Sequence, residues 1–262
     1  MVRQGRAPAQ PADPPPGASV QRRCQTSAVV YSLDGTSERF VGLTYSALLL
    51  RTPRAPLIEL LVELRFSGWV GPEQDGWVVA VPDEPMGHVA AHRMRIEDLA
   101  EALAARTGDA VACVLVLRDV LLRVWLAVEG RPVIDYVSDA SVGADDEPMG
   151  LDDFGNPIGA PEGPVGAQQA GALARAMGVP EAADDLHELL AERLGEAESE
   201  SERLHAVCRL LGWPEWLVSV TSLPRRVPLG PDSGAFTRLR VGRTGVGGRL
   251  AARGARVVRR SV

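Results

Sequence analysis

Apolar residues recur with helical spacing in two stretches of the first half of the chain. The first stretch has them at i, i+3, i+4 and i+7, namely Leu57, Leu60, Leu61 and Leu64. The second has Ile96, Leu99, Ala100 and Leu103. This spacing is typical of a helix with one buried face. Pro56 suits a first helical position, and Gly68 and Gly108 stand where the two helices are expected to end.

Three runs of strand character follow Gly108. Residues 111–117 are continuously apolar, as in a strand buried on both faces, and residues 121–128 and 132–137 follow at once. Connections as short as the Arg118–Asp119 and Glu129–Gly130 turns force neighbouring strands to be antiparallel. The pattern therefore predicts an α+β fold, in which an antiparallel β-meander packs against helices.

Four other segments have weaker strand character. Residues 28–33 form a plausible short strand, and residues 41–51 are compatible with strand or helix, with strand favoured. Residues 77–81 follow a turn signal, Asp75–Gly76. Residues 216–220 are predicted as a last strand.

The stretch 166–212 has a helical pattern, which predicts a helical C-terminal segment of three helices. The first spans about 167–177, and the third begins with Ser199 and Glu202, a capping-box pair. The apolar face of the second comprises Leu186, Leu189, Leu190 and Leu194.

Composition divides the chain into five parts. Residues 1–27 are rich in Pro and Ala and are expected to be a disordered extension. Residues 28–138 form the predicted α/β domain, and residues 139–165 an acidic loop or linker. Residues 166–223 form the helical segment, which is expected to pack on that domain. Residues 224–262 are rich in Arg and Gly and are expected to be a disordered basic tail.

The charge of the chain is distributed unevenly. The net charge is −6, and all 28 basic residues are arginine. Residues 28–223 hold 14 arginines against 32 acidic residues, whereas both ends are basic. An acidic body disfavours nucleic-acid binding, which leaves only the C-terminal tail for that role, and it suits a basic protein partner.

The sequence contains no pattern that predicts a metal site or a cofactor. The three cysteines, Cys24, Cys113 and Cys208, are far apart, which argues against disulfides or zinc and fits a cytoplasmic protein. His88 and His92 have i, i+4 spacing, but the residues around them do not fit a zinc-binding helix. The acidic residues at 145–153 do not follow a calcium loop, and the glycines at 242–248 do not follow a phosphate loop. The longest apolar runs are too short for a transmembrane helix.

Two groups of residues are candidate binding residues. One lies at the end of the third strand of the meander and comprises Asp135, Tyr136, Ser138 and Asp139. The other is the pair Trp213 and Trp216, since tryptophan is enriched at binding hot spots, although it packs in cores more often.

The segment 114–139, with two strands and a turn leading into an acidic segment that contains Tyr and Ser, resembles an uncharacterised group of bacterial α/β proteins of actinobacterial type. The Leu-Gly-Trp-Pro segment at 211–214 is similar to the end of such proteins. The group has no established function, so the resemblance implies no chemistry. Small acidic proteins of this kind often look like immunity proteins of bacterial conflict systems. We therefore expect a non-catalytic, protein-binding or regulatory protein, immunity-like in one version. An enzyme with an unrecognised Asp/Tyr/His site and nucleic-acid binding through the tail remain as alternatives.

Overall fold

The computed structural model describes residues 42–141, 150–151, 157–158, 163–195 and 198–241. The strands are β1 (Tyr45–Leu50), β2 (Gly68–Val70), β3 (Val78–Pro82), β4 (Val111–Leu117), β5 (Leu121–Val128), β6 (Arg131–Val137), β7 (Gly150–Leu151), β8 (Pro157–Ile158) and β9 (Thr237–Leu239). The α-helices are α1 (Arg54–Glu63), α2 (Ile96–Thr107), α3 (Ala170–Ala176), α4 (Ala183–Ala191) and α5 (Glu200–Leu211). Short 3₁₀ segments occupy Ala91–Arg93, Ala167–Gln169, Pro180–Ala182, Glu215–Ser222 and Ser233–Ala235.

Seven strands form one sheet in the order β6-β5-β4-β1-β3-β2-β9, and every neighbouring pair is antiparallel. Strand β1 lies between β3 and β4, and all six of its residues are buried. The connection through α1 therefore passes over β3, and the connection through α2 passes over β1. A central strand with helices on both faces is buried on both sides, which explains why β1 is apolar except for Ser46, whose hydroxyl donates to the Pro85 carbonyl at 3.1 Å.

The predicted meander is confirmed as β4, β5 and β6. Both residues of each predicted turn have positive φ: 51° and 60° at Arg118 and Asp119, and 51° and 76° at Glu129 and Gly130. The β5–β6 turn has two residues, and its positive φ values match the right-handed twist of the flanking strands. The Asp75–Gly76 turn has the same form, with φ of 50° and 77°.

Two hydrophobic cores lie on opposite faces of the sheet. Helices α1 and α2 pack on one face, against residues such as Leu48, Leu50 and Cys113. Helices α3, α4 and α5 pack on the other face, against residues such as Leu49 and Val124. The α+β class and the helical C-terminal part are thus confirmed. Within the described ranges, no helix has both the length and the apolar character needed to cross a membrane.

The first predicted helix is confirmed, but its bounds differ. Pro56 occupies the third position of α1, where its missing N–H removes no helical hydrogen bond. The chain leaves the helix at Arg65, with φ of 56°, and Gly68 lies in β2 instead of at a helix end. Strand β2 has only three residues, too few for the sequence to show alternation.

The predicted strand at 216–220 is wrong. This segment is part of the 3₁₀ segment Glu215–Ser222, which follows Pro214. Its buried residues Trp216, Leu217 and Val220 share one helical face, and a short apolar run does not by itself separate helix from strand.

The predicted disorder beginning at residue 224 is wrong as far as residue 241. Strand β9 pairs with β2 as the last strand of the sheet, and Phe236 and Leu239 are buried. Arg54 donates to the Ala235 carbonyl at 2.8 Å, and Arg238 stacks on the ring of Trp69 at 4.5 Å while pairing with Asp83. These contacts join residues more than 150 positions apart, so no local sequence pattern predicts them.

Several predictions fall wholly or partly outside the described residues. They concern the strand at 28–33, the N-terminal extension 1–27, the acidic residues 145–147 and 152–153, and the tail from 242 to 262. Within the predicted loop 139–165, β7 pairs with β8, and Val165 forms an antiparallel bridge with Val137 on the edge of β6.

Helix α5 begins on the turn between β4 and β5. The carboxylate of Asp119 accepts a hydrogen bond from the Ser201 amide at 2.9 Å, and its carbonyl accepts one from the Glu200 amide at 3.2 Å. Ser199 caps the same helix by accepting from the Glu202 amide. The first-turn amides are thus satisfied partly from another part of the chain.

Replacing Asp119 by alanine is expected to lower the free energy of unfolding by about 1 kcal/mol, because a helix-terminal amide loses its carboxylate acceptor. Asp119→Asn keeps an acceptor oxygen and tolerates the positive φ, so it should lose less. Urea unfolding of both variants measures this. Equal losses in the two variants would contradict the capping role.

Candidate protein-binding surface

The four candidate residues at the end of the meander do not form one site. Strand geometry sends alternate side chains to opposite faces, so Tyr136 is buried beneath α5 whereas Asp135 is exposed on the other face. Asp135 pairs with Arg123 through two hydrogen bonds of 2.8 and 3.1 Å. Arg123 also binds Glu97 of α2 at 2.7 Å. Asp135 therefore ties the strands to the helix above them.

Tyr136 and Ser138 belong to a buried polar network with α5. Arg203 donates to the Tyr136 hydroxyl at 2.6 Å and to the Glu192 carbonyl at 2.6 Å. The Arg203 and Glu200 side chains lie 3.4 Å apart and are only 1% and 4% exposed. Ser138 is hydrogen-bonded to Glu200 and accepts from the Leu122 amide at 2.9 Å. The network joins α5 to β5 and β6.

The protonation states in this network favour structure over catalysis. Burial raises the pKa of Tyr136 to about 12, although the nearby Arg203 guanidinium opposes the shift. Burial also raises the pKa of Glu200, against the effects of Ser138 and Arg203. A buried hydroxyl that already accepts from arginine has no route to a substrate, so this network lends no support to an active site at the end of β6.

Asp139 organises the chain after β6. Its Oδ1 accepts from the amide and hydroxyl of Ser141, at 3.0 and 2.6 Å, and from the Gly163 amide at 3.2 Å. The pKa of Asp139 is below its usual value, chiefly because the carboxylate accepts from the Ser141 hydroxyl. Burial opposes this shift, and the Ser141 and Gly163 amides add to it. This carboxylate therefore holds together the two ends of the segment between residues 141 and 163.

Trp213 and Trp216 are buried in the hydrophobic core. They are 3% and 4% exposed, and their indole N–H groups donate to Met177 Sδ at 3.4 Å and to Gln74 Oε1 at 2.7 Å. Trp213 also packs edge-on against Trp77. Little of either ring is free to contact a partner.

The described residues contain no group of three or more His, Cys, Asp and Glu side chains placed to hold a metal ion. His88 and His92 do not share a helix: His92 has φ of 57° inside a 3₁₀ turn. Cys113 and Cys208 are free and buried, and burial raises the pKa of both thiols, which disfavours the reactive thiolate. Cys24 lies outside the described residues.

The helical layer carries an acidic surface that the whole-chain charge count did not locate. We define the acidic stripe as five exposed carboxylates in and beside α4: Glu181, Asp184, Asp185, Glu188 and Glu192. Asp184, Asp185 and Glu188 share one face of α4, while Glu181 lies in the 3₁₀ segment before the helix and Glu192 directly follows its last residue. No ion pair joins any of them to a basic side chain in the described part of the chain.

The acidic stripe costs stability. Carboxylates three and four residues apart on a helix repel one another. Asp184 and Asp185 lie in the first turn of α4, where the helix dipole favours negative charge, but Glu192 lies at the opposite end, where the dipole disfavours it. The helix dipole therefore does not account for the whole stripe. The spacing was visible in the sequence, but exposure and the lack of partners were not.

The stripe continues into a shallow pocket of about 180 Å³ between the end of α4 and the start of α5. Its wall combines the carboxylates of Glu192, Glu198 and Glu202 with the apolar side chains of Leu189 and Leu194, and its one cation, Arg203, is almost fully buried and paired with Glu200. Such a surface matches a long basic side chain, whose methylene groups pack on apolar atoms while its charge meets carboxylates.

Comparison of the chain with protein-family models, curated proteins and solved structures finds no match.

Proposed function

We propose that this protein is a non-catalytic binding protein, which uses the acidic stripe to bind a basic region of a protein partner. The observation that carries the proposal is the row of five exposed carboxylates along α4 and its two flanking positions, none of which forms an ion pair within the described part of the chain. Solubility requires surface charge, but it does not require one sign concentrated at positions where the charges repel. A partner that neutralises the stripe would remove this repulsion.

The proposal implies a particular kind of complex. Complementary charges accelerate association and favour one partner over others, and their effect weakens as salt screens them. In the immunity-like version of the proposal, the partner is a basic toxin made by the same cell, and the protein acts in the cytoplasm. Arg203 donates to Tyr136 of the sheet and to the Glu192 carbonyl, and these contacts position the end of the stripe relative to α5 in any version of the proposal.

Charge reversal on the stripe tests the proposal. We expect the immobilised wild-type protein to capture a basic protein from the native host at low salt and to lose it as salt rises. The triple variant Glu181→Lys/Glu188→Lys/Glu192→Lys should reduce capture at least tenfold. Lysine suits positions 188 and 192, in the last turn of α4 and just after it, whereas lysine at the exposed position 181, before the first turn, costs about 0.3–1 kcal/mol. The variant should therefore remain folded.

A control variant with the same net charge separates the stripe from the overall charge. Glu59→Lys/Glu73→Lys/Glu129→Lys changes three exposed carboxylates outside α3, α4 and α5. This variant should retain capture. Equal loss in both triple variants, capture that is indifferent to salt, or no specific capture by the wild type would each contradict the proposal.

A further inference from the structure

A second surface, which shares no lining residue with the acidic stripe, lies at the turn between β2 and β3. A cleft of about 360 Å³ separates this turn from the 3₁₀ segment Glu215–Ser222 and the following loop. We call it the Trp216 cleft; its lining includes Gln74, Asp75, Pro214, Glu215, Trp216 and Leu229. No basic side chain is among the described residues that line it.

Leu229 makes this cleft unusual. It is 87% exposed, the highest value among the exposed large hydrophobic residues of the described chain, and its φ is 58°. Leucine rarely adopts this left-handed conformation, since its Cβ crowds the following carbonyl. Val227 is fully buried, and Gly230 donates to the Val227 carbonyl at 3.1 Å, so the loop is anchored while Leu229 extends into solvent.

The polar groups of the cleft accept hydrogen bonds and carry negative charge. Asp75 and Glu215 are both exposed, and Glu215 is held by a 2.8 Å contact with His205. The Trp216 indole N–H is already used by Gln74. The cleft therefore offers two carboxylates beside an apolar wall formed by Leu229 and Pro214, which complements a ligand that has both a cation and an apolar group.

We propose that the Trp216 cleft binds a short peptide segment of a partner protein, in which a lysine or arginine is adjacent to an apolar residue. The apolar side chain packs on Leu229 and Pro214, and the cation lies between Asp75 and Glu215. Burial of Leu229 on binding supplies the apolar contribution, and the two carboxylates supply the selection for positive charge. This surface and the acidic stripe are independent of each other.

Two dipeptides serve as probes of the full-length protein: N-acetyl-leucyl-arginine amide and the matched N-acetyl-leucyl-glutamate amide. In ¹⁵N-resolved NMR titrations, the arginine peptide should cause saturable shifts at the amides of Asp75, Gly76 and Leu229 and at the Trp216 indole. The glutamate peptide should bind at least tenfold more weakly. No saturable shift with the arginine peptide, or equal binding of both peptides, would overturn the proposal.

Isosteric variants test whether the carboxylates of Asp75 and Glu215 supply the selection for positive charge. Asp75→Asn/Glu215→Gln removes both charges, and asparagine tolerates the positive φ of position 75, so the fold should persist. We expect at least fivefold weaker binding of the arginine peptide, whereas Glu59→Gln should bind as the wild type does. Unchanged affinity in the double variant would refute the charge selection. The triple lysine variant of the acidic stripe should bind the peptide normally, so failure at one surface is distinguishable from failure at the other.

Discussion

Replacing Arg203 by methionine is expected to lower the free energy of unfolding by about 3–5 kcal/mol, because it leaves the Glu200 carboxylate buried without its cation. Both side chains are almost fully inaccessible to solvent. The Tyr136 hydroxyl and the Glu192 carbonyl lose their donor in the same variant. Chemical denaturation with a wild-type reference measures the loss.

The double variant Glu200→Leu/Arg203→Met distinguishes a lost ion pair from lost packing. It removes both buried charges, so it should be clearly more stable than Arg203→Met alone. Arg209→Met, at an exposed position of the same helix, should change stability by less than about 1 kcal/mol. A double variant no more stable than Arg203→Met alone would contradict the coupling between the two charges.

Replacing Trp213 by alanine is the second large expected effect. The side chain fills the core between α3 and the sheet, where it contacts Trp77 and Met177. Truncation of a buried aromatic residue typically costs about 3–5 kcal/mol, since it removes apolar contact and leaves a cavity. Thermal and urea unfolding both report this loss.

Trp213→Phe separates the ring from its polar atom. It retains an aromatic ring and loses the N–H that donates to Met177 Sδ, so we expect about 1–2 kcal/mol. If Trp213 were instead an exposed binding residue, alanine would leave the unfolding curve unchanged and would affect only partner capture. A loss below about 1 kcal/mol would contradict its place in the core.

The candidate residues of β6 show how much of a side-chain arrangement can be predicted from strand and helix patterns. The alternation of β6 was visible, so the opposite directions of Asp135 and Tyr136 followed once the strand was known. The partners were not visible, because Arg203 and Glu200 lie more than 60 residues further along the chain. Tyr136 and Ser138, which resemble part of a polar site in sequence, instead interact with Arg203 and Glu200 of α5 in the interior.

The sequence by itself determined the meander, the existence of the helices and the glycine ends of α2 and α5, since turn residues and apolar periodicity act over a few neighbouring positions. Tertiary structure decided that β1 lies between β3 and β4, that residues 237–239 complete the sheet, and that residues 215–222 are helical. These outcomes depend on contacts between distant segments, such as Arg54 with Ala235. Tertiary structure also decided which carboxylates are paired in the interior and which remain exposed on α4, because burial and partners are properties of the packed chain.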